Sequence, residues 1–367
     1  MVGAGIYILT GDLIKNKTGP ATNLSFLLSG IATIFTGLCY CEFATLIPKA
    51  GSCYTYTYVM MGEMAAFIIG WTMIMDVIIS LASISKGFSG ALNLLANEAI
   101  RNFTDKYLPL AKNSSTWDSS VDLIAVLLLL ILFLVSLTGT TMSMNINSIL
   151  AMMELCFLIV IIISCFIYGT KENYEADGGY LPFGPASIFK GAGIAIFAYA
   201  GFESLANAAE ETKEPRKSIP IALLSSLSVI IVLYVLASSG LSYLVPRSQI
   251  DPSAPFISGF HKKNKVHLKW VTGVGTLLAT GATKITTIYI LPKVIYAMAE
   301  DGLLFKFLAK LHPKTKVPIY GLIIGVSISM ILAMFVKIEI LASVTSMGII
   351  ISYIFIGIDL LILKKTI

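Results

Sequence analysis

Apolar runs of about twenty residues, separated by short segments of Gly, Pro and charge, recur along the whole chain and leave few folds open to it. They lie at 21–47, 54–82, 121–139, 147–169, 188–208, 219–245, 270–298, 317–336 and 341–363, after a shorter run at 1–10. About 20 apolar residues in helical form cross a hydrocarbon core about 30 Å thick. Inside lipid, only helices and closed barrels satisfy every backbone polar group. Runs of this length within 367 residues that are 56% hydrophobic and only 13% charged specify an all-α polytopic membrane protein. A soluble domain carries about 25% charged residues. The net charge of +5 is spread over short loops and forms no nucleic-acid footprint.

Enzyme chemistry finds little to work with. The five cysteines, 39, 41, 53, 156 and 165, lie in or at the edge of apolar runs, and the three histidines, 261, 267 and 312, lie in loops. There is no metal-ligand spacing, phosphate loop, dinucleotide fingerprint or nucleophile–base arrangement. The chain therefore reads as a non-enzyme that needs no cofactor and no metal.

The run at 1–10 is half a span, because ten helical residues rise only about 15 Å. It also lacks the layout of a signal peptide. The expectation is a chain that opens inside its first helix, with the N-terminal half of that helix missing. The runs then divide into two sets of five. Residues 1–169 form a first five-helix repeat, 170–187 an exterior connecting loop, and 188–367 a second repeat. An odd number of spans per half turns the halves in opposite directions, the inverted-repeat layout of many secondary transporters. Gly3 and Gly5 open the first run, and Gly191, Gly193 and Gly201 interrupt the sixth. Interruptions in corresponding helices point to broken helices around a midplane site, although small residues also let helices pack closely. Basic residues divide almost evenly between the two sides. The sequons at Asn16, Asn102 and Asn113 fall on one side, which is taken as the exterior.

Ionisable residues within spans are costly and face a cavity or a partner. Here they are Glu42, Glu63, Asp76, Glu154, Glu203 and Lys284. Glu42 and Glu63 read as interfacial carboxylates, and Glu154 with Lys284 as a neutralising buried pair. Glu203 follows the suspected break in the sixth run and faces an aqueous cavity. Exposed N–H groups at Gly3, Ala4 and Gly5, at the positive end of a half-helix, suit a carboxylate. Carbonyls around Tyr199, Ala200 and Gly201 suit an ammonium group. The residues reach as far as a small solute with both groups. The loop 209–219 reads as solvated, and 299–316 as an amphipathic interfacial helix.

Four stretches carry a family resemblance: Val2-Gly3-Ala4-Gly5-Ile6-Tyr7 with Thr10-Gly11; Gly62-Glu63 with Gly70-Trp71; Gly201-Phe202-Glu203 running into 208–220; and 292–304, Pro-Lys-Val-Ile-Tyr-Ala-Met-Ala-Glu-Asp-Gly-Leu-Leu. The chain resembles the cationic amino acid transporter family of the amino acid–polyamine–organocation superfamily. The resemblance implies a five-plus-five inverted-repeat fold with broken first and sixth helices, and transport of L-amino acids, often arginine, lysine and ornithine. It implies a substrate site at Gly3, Ala4, Gly5, Ile6, Asp76, Tyr199, Ala200, Gly201, Phe202 and Glu203. Animal members extend about four spans beyond the point where this chain ends. Glu203 stands where the family has Asp, Glu154 where Asn or Lys is common, and Lys284 where the eighth helix is usually apolar. From the last two we expect an amine–carboxylate pair in place of a coupling ion, and sodium-independent transport. A proton-coupled neutral or broad-specificity symporter and a transport-deficient sensor are the alternatives. Relatives that join a heavy chain through a disulfide carry a cysteine after the third span. Residues 83–119 contain none, so no such partner is expected, and the protein is expected at the plasma membrane as a glycoprotein.

Overall fold

The structure is a computed structural model that describes residues 3–46, 52–110, 114, 116–137, 144–202, 214–312 and 317–366. Among these residues all regular structure is helical. The first half contains α1 (Ala4–Asp12), α2 (Thr22–Leu46), α3 (Ser52–Met61), α4 (Glu63–Leu95), α5 (Ala99–Tyr107), α6 (Leu123–Leu137) and α7 (Met144–Tyr168). After the short α8 (Glu172–Glu175) come α9 (Ala186–Ala195), α10 (Pro215–Leu244), α11 (Pro255–Lys262), α12 (Val266–Glu300), α13 (Ile319–Phe335) and α14 (Ile338–Thr366).

Five of these segments are long and apolar enough to cross a membrane: Gly19–Leu46, Glu63–Leu95, Ile149–Tyr168, Arg216–Leu244 and Ile338–Lys365. Their hydroxyl residues turn back onto the preceding turn, as Thr33 does to Ser29 O (2.9 Å) and Ser238 to Tyr234 O (2.8 Å). That keeps polar groups satisfied where no water reaches. Phe35, Ile167 and Leu361 are about two-thirds exposed or more on the outer faces, as lipid contact requires.

Two large buried clusters hold most of the helices, and a small third one joins Ala91 and Leu94 to Ala254 and Ile257. One gathers α1, α2, α7, α9, α10, α11 and α14 around Tyr7, Phe26, Tyr199 and Tyr234; the other gathers α4, α6, α12 and α13 around Leu81, Leu129, Leu291 and Val326. Helices pair across the two halves: α4 packs along α12, α2 along α10, and α6 along α13. α1 lies centrally, touching α4, α11, α12 and the turn after α9.

The apolar run at 54–82 is not one span. Gly62 has φ +87°, a backbone that L side chains rarely adopt, and it separates α3 from a 33-residue α4. Glu63 therefore begins a helix rather than sitting inside one. At about 1.5 Å per residue, α4 is about 50 Å long and carries Lys86 past the end expected from hydropathy. The interfacial helix expected at 299–316 is also replaced. Helix α12 ends at Glu300, Gly302 turns with φ +81°, the Leu303 and Leu304 amides donate to Met298 O, and among the described residues up to 312 only the short turn Lys306–Ala309 follows.

Candidate functional site

Two interrupted helices meet at the centre of the molecule. Helix α1 begins at Ala4; the Gly3 amide donates to the Tyr234 hydroxyl (3.4 Å) and the Ala4 amide to Thr283 Oγ1 (3.3 Å). Helix α9 passes into a tight turn over Ile196–Tyr199, then leaves helical geometry at Ala200 (φ −58°, ψ 150°) and Gly201 (φ +108°). The crossing point is Gly5, whose missing side chain would meet Ala198 Cα and Cβ. The Tyr199 hydroxyl anchors the end of this turn by donating to Phe26 O (2.8 Å). Ile6 and Phe202 are fully buried. The structure thus brings together the segments of Gly3, Ala4, Gly5 and Ile6 and of Tyr199, Ala200, Gly201 and Phe202. Glu203 lies outside the described residues.

Asp76 sits on the seam between α4 and α14, where Gly348 approaches it at ordinary contact distance. Two residues earlier on α14, and so on another face of that helix, Ser346 donates to Ile194 O of α9 (2.9 Å), which sets α14 between α4 and the sixth span.

Glu154 and Lys284 are both buried, at 3% and 0% exposure, yet they do not pair. Helical geometry gives the reason. On α12, Gly273 lies against Leu95 of α4 and Gly275 against Phe157 of α7, so α4 and α7 occupy opposite faces. Lys284 is eleven residues from Gly273, about three turns, and therefore faces α4. Its amine lies 5.7 Å from the centroid of the Phe88 ring on that helix and has no hydrogen-bond partner. Glu154 Oε1 also lacks a hydrogen-bond partner, and its carboxylate lies within electrostatic range of the Tyr7 and Tyr234 hydroxyls beside the start of α1.

A cavity of about 660 Å³ opens at the other end of α1, lined by Asp12, Lys86, Arg101, Asp118, Asp122 and Glu339 among others. Lys86, 5% exposed, is held by Asp118 (2.7 Å), Asp122 (3.7 Å) and Ala333 O (3.3 Å). Asp122 also accepts from Ser89 (2.6 Å), and Arg101 lies 3.8 Å from Asp118. Burial works against the Asp118 charge, but the Lys86 ammonium and the Ser119 amide prevail and hold its carboxyl below the usual range. A narrower crevice lined by Ile8, Leu9, Ile194 and Ala342 continues from this vestibule along α1. The sequence reading missed Lys86 because it ended the third span at 82. It also passed over Asp359, a fully buried carboxylate in α14 that accepts a 2.6 Å hydrogen bond from Thr57. Of the sequons, Asn16 and Asn102 are exposed, Asn16 near the vestibule, and Asn113 lies outside the described residues.

The amino acid permease family matches residues 1–366. Cationic amino acid transporter 4 of Mus musculus is 33% identical over 99% of this chain and 57% of its own length. Cationic amino acid transporter 3, mitochondrial, of Arabidopsis thaliana is 32% identical over 99% and 60% respectively. The methylthioribose transporter of Bacillus subtilis (strain 168) is 29% identical over 100% and 78%. The chain thus spans 57% of the length of the mouse relative. With a match that runs almost from end to end and an all-helical, lipid-facing architecture, this chain belongs to the amino acid permease family.

Proposed function

We propose that this chain is the transport core of a secondary transporter that moves L-amino acids by alternating access, cationic ones foremost, without sodium. The observation that carries this reading is the crossing of two interrupted helices at Gly5 and Ala198, with Gly201 at φ +108°. The amide end of α1 would receive the substrate carboxylate, and the carbonyls around Ala200 its ammonium group. The names of the mouse and plant relatives support a cationic substrate. The pairing of α2 with α10, α4 with α12 and α6 with α13 supports two inverted five-span repeats, 1–169 and 188–367, joined by 170–187.

A cationic substrate needs no coupling ion to accumulate. A potential of 100 mV supplies about 2.3 kcal/mol per charge, a concentration ratio approaching fifty at about 1.4 kcal/mol per tenfold. The Lys284 amine is buried apart from Glu154 and has no hydrogen-bond partner, so the amine–carboxylate pair expected in place of a coupling ion does not form and the sodium-independent reading rests on the membrane potential alone. One observation favours a second reading: the enclosed, unbonded Glu154 oxygen suits a proton carrier in a symporter for neutral amino acids. We place the protein at the plasma membrane, with no disulfide-linked heavy chain.

Uptake of labelled arginine and leucine into proteoliposomes separates these readings. Arginine uptake that follows an imposed potassium diffusion potential and survives replacement of sodium by choline is the expected result. Uptake lost with sodium would overturn the sodium-independent reading. Leucine uptake that follows only a proton gradient would favour the symporter.

A further inference from the structure

We propose that Asp359 is a proton-binding site that latches α3 to α14, on the face of the molecule opposite the vestibule. Two contacts in register fasten this seam. Cys53 Sγ points at Ser352 O (3.6 Å), and one turn along α3 Thr57 Oγ1 donates to Asp359 Oδ2 (2.6 Å). Ser352 and Asp359 are two turns apart and so share one face of α14. Cys53, Thr57 and Asp359 are each at most 1% exposed. Asp359 Oδ1 has no hydrogen-bond partner, and no cation lies within ion-pair distance of the carboxyl group among the described residues.

The same seam closes over the broken sixth span. Phe202 packs edge-on against Tyr40 of α2 (5.4 Å) and at a tilt against Tyr353 of α14 (5.5 Å). Tyr40 meets Tyr56 of α3 (6.5 Å), and Phe43 stacks on Tyr56 (5.0 Å). A solute leaving the Gly5–Ala198 crossing towards this side must part these rings, which requires α3 to move off α14.

Charge then couples that movement to a proton. A carboxylate with one neutral donor and no cation among the described residues is far too costly to keep charged out of water, so the shut seam holds Asp359 as the neutral acid. Parting the seam lets water in, and the acid releases its proton to that side. The titratable neighbours are Cys53 and Tyr56 on α3, Cys39, Tyr40, Cys41 and Glu42 on α2, Tyr353 and Lys364 on α14, and Asp76 of α4, which lies against Gly348 further along α14. Glu42 and Lys364 are exposed and solvated. The shut form binds the proton more tightly than the open form, so it gains as pH falls and is lost as pH rises. Its consequence for transport rests on the alternating-access reading above. The latch itself does not, and its test needs no substrate.

Cys53 reports the seam directly. Its alkylation by N-ethylmaleimide, followed by mass spectrometry of the peptide that carries it, is compared in the wild-type chain, Asp359→Asn and Thr57→Val. Asparagine keeps the acceptor for Thr57 but cannot ionise. Dividing wild-type by Asp359→Asn rates at each pH cancels the intrinsic reactivity of the thiol. The expected ratio is near one at about pH 6 and rises several-fold by about pH 8, while Thr57→Val is labelled faster than wild type at both. A ratio that stays flat overturns the proton site. Cys53 labelled equally slowly in wild type and Thr57→Val, or not at all in either, overturns the latch.

Discussion

Gly5 of α1 lies against the backbone of Ala198, so a β-carbon at position 5 would meet Ala198 Cα rather than the end of a movable side chain. Backbone at a helix crossing does not yield cheaply, and overpacking of this kind costs about 1–3 kcal/mol. Gly5→Val should therefore insert normally yet lose about fivefold to a hundredfold in arginine uptake, at about 1.4 kcal/mol per tenfold, with Gly5→Ala between it and wild type. Uptake per inserted molecule in proteoliposomes checks this. Wild-type kinetics in Gly5→Val would remove the crossing from the substrate path.

Gly201 should behave differently, although it too is a glycine at the break. Among the described residues none lies within 4 Å of a β-carbon built there, and the constraint they show is its φ of +108°. A non-glycine residue held in such a region costs on the order of 1–3 kcal/mol whatever its size. Gly201→Ala and Gly201→Val should thus impair uptake by similar factors, whereas Gly5→Ala and Gly5→Val should differ. A graded loss with side-chain volume at position 201 would show that space rather than backbone geometry matters there.

In the vestibule, Asp118→Asn leaves the buried Lys86 amine with only the more distant Asp122 carboxylate, at 3.7 Å. Removing one partner of a buried pair is destabilising, so the variant should melt several degrees below wild type near neutral pH. Asp118 is held below the ordinary carboxylate range, so its stabilisation is complete above about pH 4 and lost as pH falls through and below that value. The melting difference should accordingly shrink on acidification below about pH 4. A difference that is constant with pH would mean that Asp118 acts by packing alone.

The broken helices were legible because glycine at the start of the first run and in the sixth has a backbone consequence, and the structure carries that consequence at Gly5 and Gly201. The separation of Glu154 from Lys284 was not, because hydropathy places both residues inside spans but does not tell which face of α12 meets which neighbour. That face is fixed by Gly273 against Leu95 and Gly275 against Phe157, contacts far apart in sequence. Lys86 was hidden for another reason. A lysine beside serines and glycines reads as a loop, yet the helix continues because carboxylates at 118 and 122 return to hold the amine. Asp359 escaped notice inside the last apolar run, where its hydrogen-bond donor, Thr57, comes from a helix 302 residues earlier.

On the proposed reading Asp76 pairs with a basic substrate side chain from the α4–α14 seam, where it lies against Gly348. The glycine leaves room beside the carboxyl group that any larger residue on α14 would occupy. A charge-assisted hydrogen bond contributes about 1.5–3 kcal/mol, about tenfold to a hundredfold in affinity at about 1.4 kcal/mol per tenfold. Asp76→Asn keeps the shape and removes the charge, so the KM for arginine and lysine should rise by about tenfold or more while that for leucine changes little. Gly348→Leu should impair all three, because it presses on Asp76 whatever the substrate carries. Competition of unlabelled amino acids against labelled arginine in vesicles gives both results from one preparation. If Asp76→Asn lowers arginine and leucine uptake equally, Asp76 supports the α4–α14 seam and does not read the side chain.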